Sequence, residues 1–161
     1  MRGFPVEEYQ ARVSKLQANM HQNDIDAILI TSPHNFRYFS GFDSYFWESP
    51  TRPWFLLIPQ SDDPIAIIPS IGQTALQKTW IKNIQTWPSP QPNDEGISTL
   101  ENSIKNLIPT KGNIGCELGL ESNLRMSIND FDKLRTNLSN YSFVNASHLI
   151  WKLRVVKSQN E

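Results

Sequence analysis

Cysteine is nearly absent from this 161-residue chain. Cys116 stands alone, which excludes an internal disulfide. Long apolar runs are missing too: none approaches the roughly 18–20 residues that a membrane-spanning helix needs. The opening Met1-Arg2-Gly3-Phe4-Pro5-Val6-Glu7-Glu8 lacks an apolar stretch and turns acidic at once, unlike a secretory signal. Charge of one sign is not in excess. Fifteen Lys and Arg face sixteen Asp and Glu, the net charge is −1 and the pI is near 6.3, so no basic stripe is available to displace counterions from a nucleic acid. These absences predict a cytoplasmic protein with neither membrane nor nucleic-acid partners.

The familiar catalytic motifs are absent as well. There is no Gly-x-x-x-x-Gly-Lys-Ser/Thr phosphate loop, no Gly-x-Gly-x-x-Gly after a strand and no Gly-x-Ser-x-Gly elbow. Metal sites need several His, Cys, Asp or Glu side chains on one face. His21, His34 and His148 are scattered and form no His-x-x-x-His pair. His21 suits the negative end of a helix, and His34 and His148 fit solvated first turns. Cys116 is followed by Glu117, an acid that raises a thiol pKa, so the cysteine reads as inert. No catalytic residue and no metal ligand is assigned.

What the chain does contain is aromatic bulk. Apolar residues make up 39%, below the usual share of about 45–50%, yet five Trp, eight Phe and four Tyr supply large areas to bury. Val6, Tyr9, Val13, Leu16 and Met20 recur at helical spacing, which predicts a helix over 5–22 with Pro5 at its first position. Ala27-Ile28-Leu29-Ile30 reads as a strand buried on both faces. A short helix follows from Pro33 to Tyr38 and stops near Gly41. Strands over 54–58 and 64–68, joined by a few turn residues, form an antiparallel hairpin. Further along come a helix over 72–80, a strand over 84–87 and a proline-rich loop over 88–94. A helix over 97–107, a strand over 114–116 and a helix over 127–138 capped by Ser127 follow. A strand over 141–144 and a closing helix over 146–156 end the pattern. The alternation predicts one α/β domain spanning 1–161, with a three-layer architecture around a mixed, about six-stranded sheet flanked by helices.

One segment stands out. Asp43 to Pro53 reads as a loop, yet it carries Tyr45-Phe46-Trp47, Glu48 and Arg52. Such a cluster either covers the domain's own core or faces a partner. Tyr, Trp and Arg dominate binding hot spots, and the arginine fork suits a carboxylate.

Three stretches resemble a known family: Asp26-Ala-Ile-Leu-Ile, then Ser32-Pro-His-Asn-Phe-Arg-Tyr-Phe-Ser-Gly-Phe, then Pro53-Trp-Phe-Leu-Leu-Ile-Pro. With the tail Leu149-Ile-Trp-Lys-Leu-Arg-Val-Val-Lys-Ser, they are similar to the creatinase/prolidase N-terminal domain of aminopeptidase P, prolidase and creatinase. The resemblance implies a ribonuclease H-like fold. It implies a separate C-terminal pita-bread domain after residue 161, where the peptidase members hold two divalent metals, usually manganese or cobalt. It also implies a homodimer or homotetramer in which this domain borders the neighbouring active site, and proline-containing peptides as substrate. By the same resemblance Tyr38 and Arg52 are substrate-binding residues offered in trans, and Trp47 joins them by its place in the loop. Alternatives are a stand-alone protein- or ligand-binding module of the same fold without hydrolase activity, the accessory domain of a creatinase-like amidinohydrolase, and an independent enzyme using Cys116 or a histidine.

Overall fold

The structure, a computed structural model, describes residues 3–49 and 52–161. The chain runs α1 (Val6–His21), β1 (Ala27–Ile30), α2 (Pro33–Ser40), a 3-10 turn (Tyr45–Glu48), β2 (Phe55–Pro59) and β3 (Ile65–Pro69). It continues through a 3-10 turn (Ser70–Gly72), α3 (Gln73–Leu76), β4 (Asn83–Trp87), α4 (Ile97–Leu107), β5 (Asn113–Cys116), α5 (Ile128–Asn137), β6 (Ser142–Asn145) and α6 (Ser147–Val155). The six strands form one mixed sheet in the order β4-β3-β2-β1-β5-β6. β1–β2 and β2–β3 are antiparallel, whereas β1–β5, β3–β4 and β5–β6 are parallel. The expected three-layer α/β arrangement is present.

β1, β2 and β3 are apolar along their whole length because both faces of the sheet are covered. Ile28 and Ile30 point to one face and pack with Val13, Leu16 and Met20 of α1, Phe36 and Phe39 of α2, and Leu149 and Ile150 of α6. Ala27 and Leu29 point to the other and pack with Leu100 and Ile104 of α4 and Leu134 of α5. The alternation is the period of two of a strand, read out as two cores.

Local differences from the sequence reading have physical causes. Pro5 caps α1 rather than entering it. The helix expected over 72–80 closes early, as α3. Gly72 lies against Trp54, and a Cβ there would sit 2.2 Å from the indole ring. The Thr79 hydroxyl then donates to Leu76 O and accepts from Ile81 N, turning the chain toward β4. The segment 43–53 holds a 3-10 turn because the Ser44 hydroxyl accepts from Phe46 N at 3.1 Å. Pro50 and Thr51 of that loop lie outside the described residues. The Ser127 cap is present: its hydroxyl accepts from Asp130 N at 3.0 Å.

Candidate functional site

β1 and β5 are parallel neighbours, and their chains leave in opposite directions. After β1 the chain joins α2 on one face; after β5 it joins α5 on the other. In α/β sheets the crevice outside such strand ends is where ligands bind. Here the protein places its own carboxylate, beside a small pocket of about 150 Å³ lined by His34, Asn35, Glu117 and Arg154. Glu117, only 2% exposed, follows β5 and reaches the start of α2. Its Oε2 accepts from Thr31 N at 2.7 Å, Thr31 Oγ1 at 3.0 Å and Ser32 N at 2.9 Å. Its Oε1 accepts from Asn35 Nδ2 at 2.6 Å and from the Ser32 hydroxyl.

The cause lies in α2 itself. That helix has no acid in its first turn, and the Ser32 side chain makes no cap to it. The positive end of the helix is left without an internal anion, and Glu117 supplies one. In the sequence Glu117 stands out only as the acid beside Cys116. The signal available was an acid directly after an apolar strand, combined with a Pro-initiated helix lacking its own first-turn acid. Cys116 itself is fully buried, and burial with the adjacent Glu117 pushes its thiol pKa far up.

Tyr38, Trp47 and Arg52 occupy three different surroundings. Tyr38 is half-buried, its ring 4.2 Å from the Arg12 guanidinium carbon and 5.7 Å from that of Arg154. It lines a groove of about 960 Å³ that also holds Phe4, Arg12, His34, Tyr45 and Glu161. Burial raises its phenol above the ordinary value; Arg12 and Arg154 oppose this, and Glu161 and Glu8 add to it. Trp47 turns inward. Its ring packs edge-on against Phe36 at 5.7 Å, Phe42 at 5.4 Å and Trp54 at 6.3 Å. The residues that leave the turn outward are Tyr45, 91% exposed, and Phe46, 45% exposed. Arg52 is half-buried and lies close enough to Glu95 to help hold that carboxyl below its ordinary value.

The turn is anchored twice: by Trp47 in the core, and by Arg125, whose Nη2 donates to the backbone oxygens of both Trp47 and Ser49. Among the described residues no three His, Cys, Asp or Glu side chains come together in a way that could hold a metal ion. Nor is any helix among them long and apolar enough to cross a membrane.

A mixed six-stranded sheet with two antiparallel steps and helices on both faces defines an α/β domain whose switch-point crevice holds an internal carboxylate. Residues 12–156 match the model of the creatinase/prolidase N-terminal domain, and the chain belongs to that family. It is 27% identical, over 98% of its length and 41% of the relative's, to an uncharacterized hydrolase/peptidase y4tM of Sinorhizobium fredii. It is 24% identical, over 98% of its length and 40% of the relative's, to ectoine hydrolase of Halomonas elongata. Among solved structures, recombinant prolidase from Thermococcus sibiricus superposes with a TM-score of 0.78 at 21% identity, covering 95% of this chain and 38% of that one. The chain thus spans about two fifths of the length of the curated relatives it matches.

Proposed function

We propose that this chain is the accessory domain of a proline-specific hydrolase, an Xaa-Pro aminopeptidase or dipeptidase, and that it contributes to a neighbouring subunit's substrate pocket. Hydrolysis belongs to a further pita-bread domain carrying two divalent metals, manganese or cobalt. The parent assembles as a homodimer or homotetramer in the cytoplasm, a compartment that suits a single free cysteine.

The observation that carries this reading is the 44–49 turn. Tyr45 and Phe46 are held out to solvent on a turn whose other side is fixed by Trp47 and Arg125. Exposed aromatics on a rigid support need little ordering when a partner covers them. Tyr45 shares the Tyr38 groove, so the two tyrosines offer one surface. Trp47 supports that surface from beneath, and Arg52 flanks the loop.

The test uses the full-length gene product. Alanine at Tyr45, Phe46 or Arg52 lowers kcat/KM for an Xaa-Pro dipeptide by about ten-fold, the size of one good contact, at unchanged metal content. Unaltered kinetics in all three variants removes the substrate role. The relative named ectoine hydrolase favours a second reading of the substrate, a small-molecule amidohydrolase or amidinohydrolase of the creatinase kind. Assaying both substrate classes with one preparation separates the two.

A further inference from the structure

A line of hydrogen bonds, buried at Glu117 and part-buried at its two ends, joins the last helix to the 44–49 turn. Arg154, in the last turn of α6, donates from Nη1 to Asn35 Oδ1 at 2.5 Å. Asn35, 7% exposed, donates from Nδ2 to Glu117 Oε1 at 2.6 Å. Thr31 donates its hydroxyl hydrogen to Glu117 Oε2 and accepts from Arg125 N at 3.0 Å on the same oxygen. Arg125 then grips the backbone oxygens of Trp47 and Ser49 with Nη2. Each link is directional. Asn35 has one oxygen facing Arg154 and its amide nitrogen facing Glu117, so reversing the amide breaks both bonds. The Thr31 hydroxyl has one hydrogen, and Glu117 takes it.

We infer that Arg154, Asn35, Glu117, Thr31 and Arg125 act together as positioning residues, coupling the geometry of α6 to that of the 44–49 turn. The chain is continuous across α6, α2, the ends of β1 and β5, and the turn, with charged groups at both ends and in the middle. Charge-assisted bonds of this kind are shorter and stronger than neutral ones, and buried networks lose more than one pair when a member is removed. Arg125 is partly desolvated, and its Nη1 is buried with no hydrogen-bond partner among the described residues. The two Nη2 bonds offset part of what that burial costs. Anything that displaces α6 is therefore felt at Tyr45 and Phe46, and a partner clamping the turn is felt at Arg154, because coupling is reciprocal. The inference rests on the proposed role of the turn only for its biological use.

Amide hydrogen exchange on the chain itself tests it. The reporters are the Phe46, Trp47 and Ser49 amides, which donate to Ser44 Oγ, Ser44 O and Phe46 O. The control is the Gly112 amide, bonded to Pro109 O just before β5, at the opposite end of that strand from Glu117. Arg154→Ala and Thr31→Val each speed exchange at the three reporters by about ten-fold through local opening, with Gly112 unchanged. Thr31→Ser, which keeps the hydroxyl, stays within about two-fold of the parent. The double variant is no faster than Thr31→Val alone, since the line is already cut. Reporter exchange unchanged in Arg154→Ala overturns the coupling, and so does equal acceleration at Gly112, which marks general loosening. The readout needs no catalysis and no partner, so it stands apart from the kinetic test of the turn.

Discussion

Replacing Glu117 by glutamine changes almost nothing in shape and removes one acceptor oxygen and the charge. In the parent, five donors converge on the two oxygens: two backbone amides, two hydroxyls and the Asn35 amide. In glutamine one of those oxygens becomes an NH2 that faces either two or three donors. The hydroxyls of Thr31 and Ser32 can rotate, but the Thr31 and Ser32 backbone amides cannot. An unsatisfied buried donor costs about 1–3 kcal/mol, and a bond to a charged acceptor contributes about 1.5–3 kcal/mol. Two lost bonds, partly relieved by rotation, give a destabilisation of about 3 kcal/mol, within the range for breaking a buried charged network. A chain of this length unfolds with an entropy of roughly 0.34 kcal/mol/K, so the midpoint temperature falls by about 9 °C. Calorimetry and urea unfolding read this directly. The urea midpoint should drop with an unchanged slope, because the exposed area is the same. Glu48→Gln, at an exposed position on the turn, should shift the midpoint by less than about 0.5 kcal/mol. A Glu117→Gln variant as stable as the parent would refute the argument that the carboxylate holds the start of α2.

Trp47→Ala should cost about 3 kcal/mol by removing an aromatic packed on Phe36, Phe42 and Trp54, whereas Tyr45→Ala should change stability by less than about 0.5 kcal/mol; equal losses in urea unfolding would reverse the inward and outward assignment. The His34 imidazole should titrate by NMR below its ordinary value of 6.5, because burial lowers it and Arg154 adds to this while Glu117 opposes. Its midpoint should rise in Arg154→Ala, and a fall there would place Arg154 elsewhere. Since the folded value is the lower one, this group's contribution to stability is complete above pH 6.5 and is lost as pH falls through the folded value. A further acid effect comes from carboxyls held below their ordinary 4.5. In Glu95 burial is outweighed by hydrogen bonds from Gln91 N, Trp87 and Ser89, and in Glu101 the Lys105 bond dominates. Their stabilisation is complete above pH 4.5 and disappears as pH falls through the lower folded values, so the urea midpoint should decline over that window; a flat profile would contradict it.

The architecture was legible because β1, β2 and β3 are apolar runs and α1 and α4 carry clear helical spacing. Each signal is local and each element stands within a few residues of its expected bounds. Two things were not legible. The early end of α3 comes with the Thr79 hydroxyl, which donates to Leu76 O and accepts from Ile81 N, a side-chain bond that apolar spacing does not register. The line through Glu117 joins residues 82–119 positions apart in its Asn35 and Arg154 links, and no window along the chain contains both ends. The aromatic turn was visible as a cluster, but its division into an inward Trp47 and outward Tyr45 and Phe46 follows from the Ser44 cap and the Arg125 grip. That division moves the proposed contact surface from Trp47 to its two neighbours, while Tyr38 keeps its place on the groove and Arg52 flanks the loop.

Subunit mixing of the full-length gene product tests the central proposal most directly. One variant carries Tyr45→Ala and Phe46→Ala with its catalytic half intact; the other carries this domain unchanged and a disabled catalytic half. If the domain serves a neighbouring subunit, each is weak alone, and re-associated mixtures regain Xaa-Pro hydrolysis in proportion to the hybrid dimers formed. Activity that stays at the sum of the separate variants, with hybrids demonstrably present, would contradict a contribution in trans.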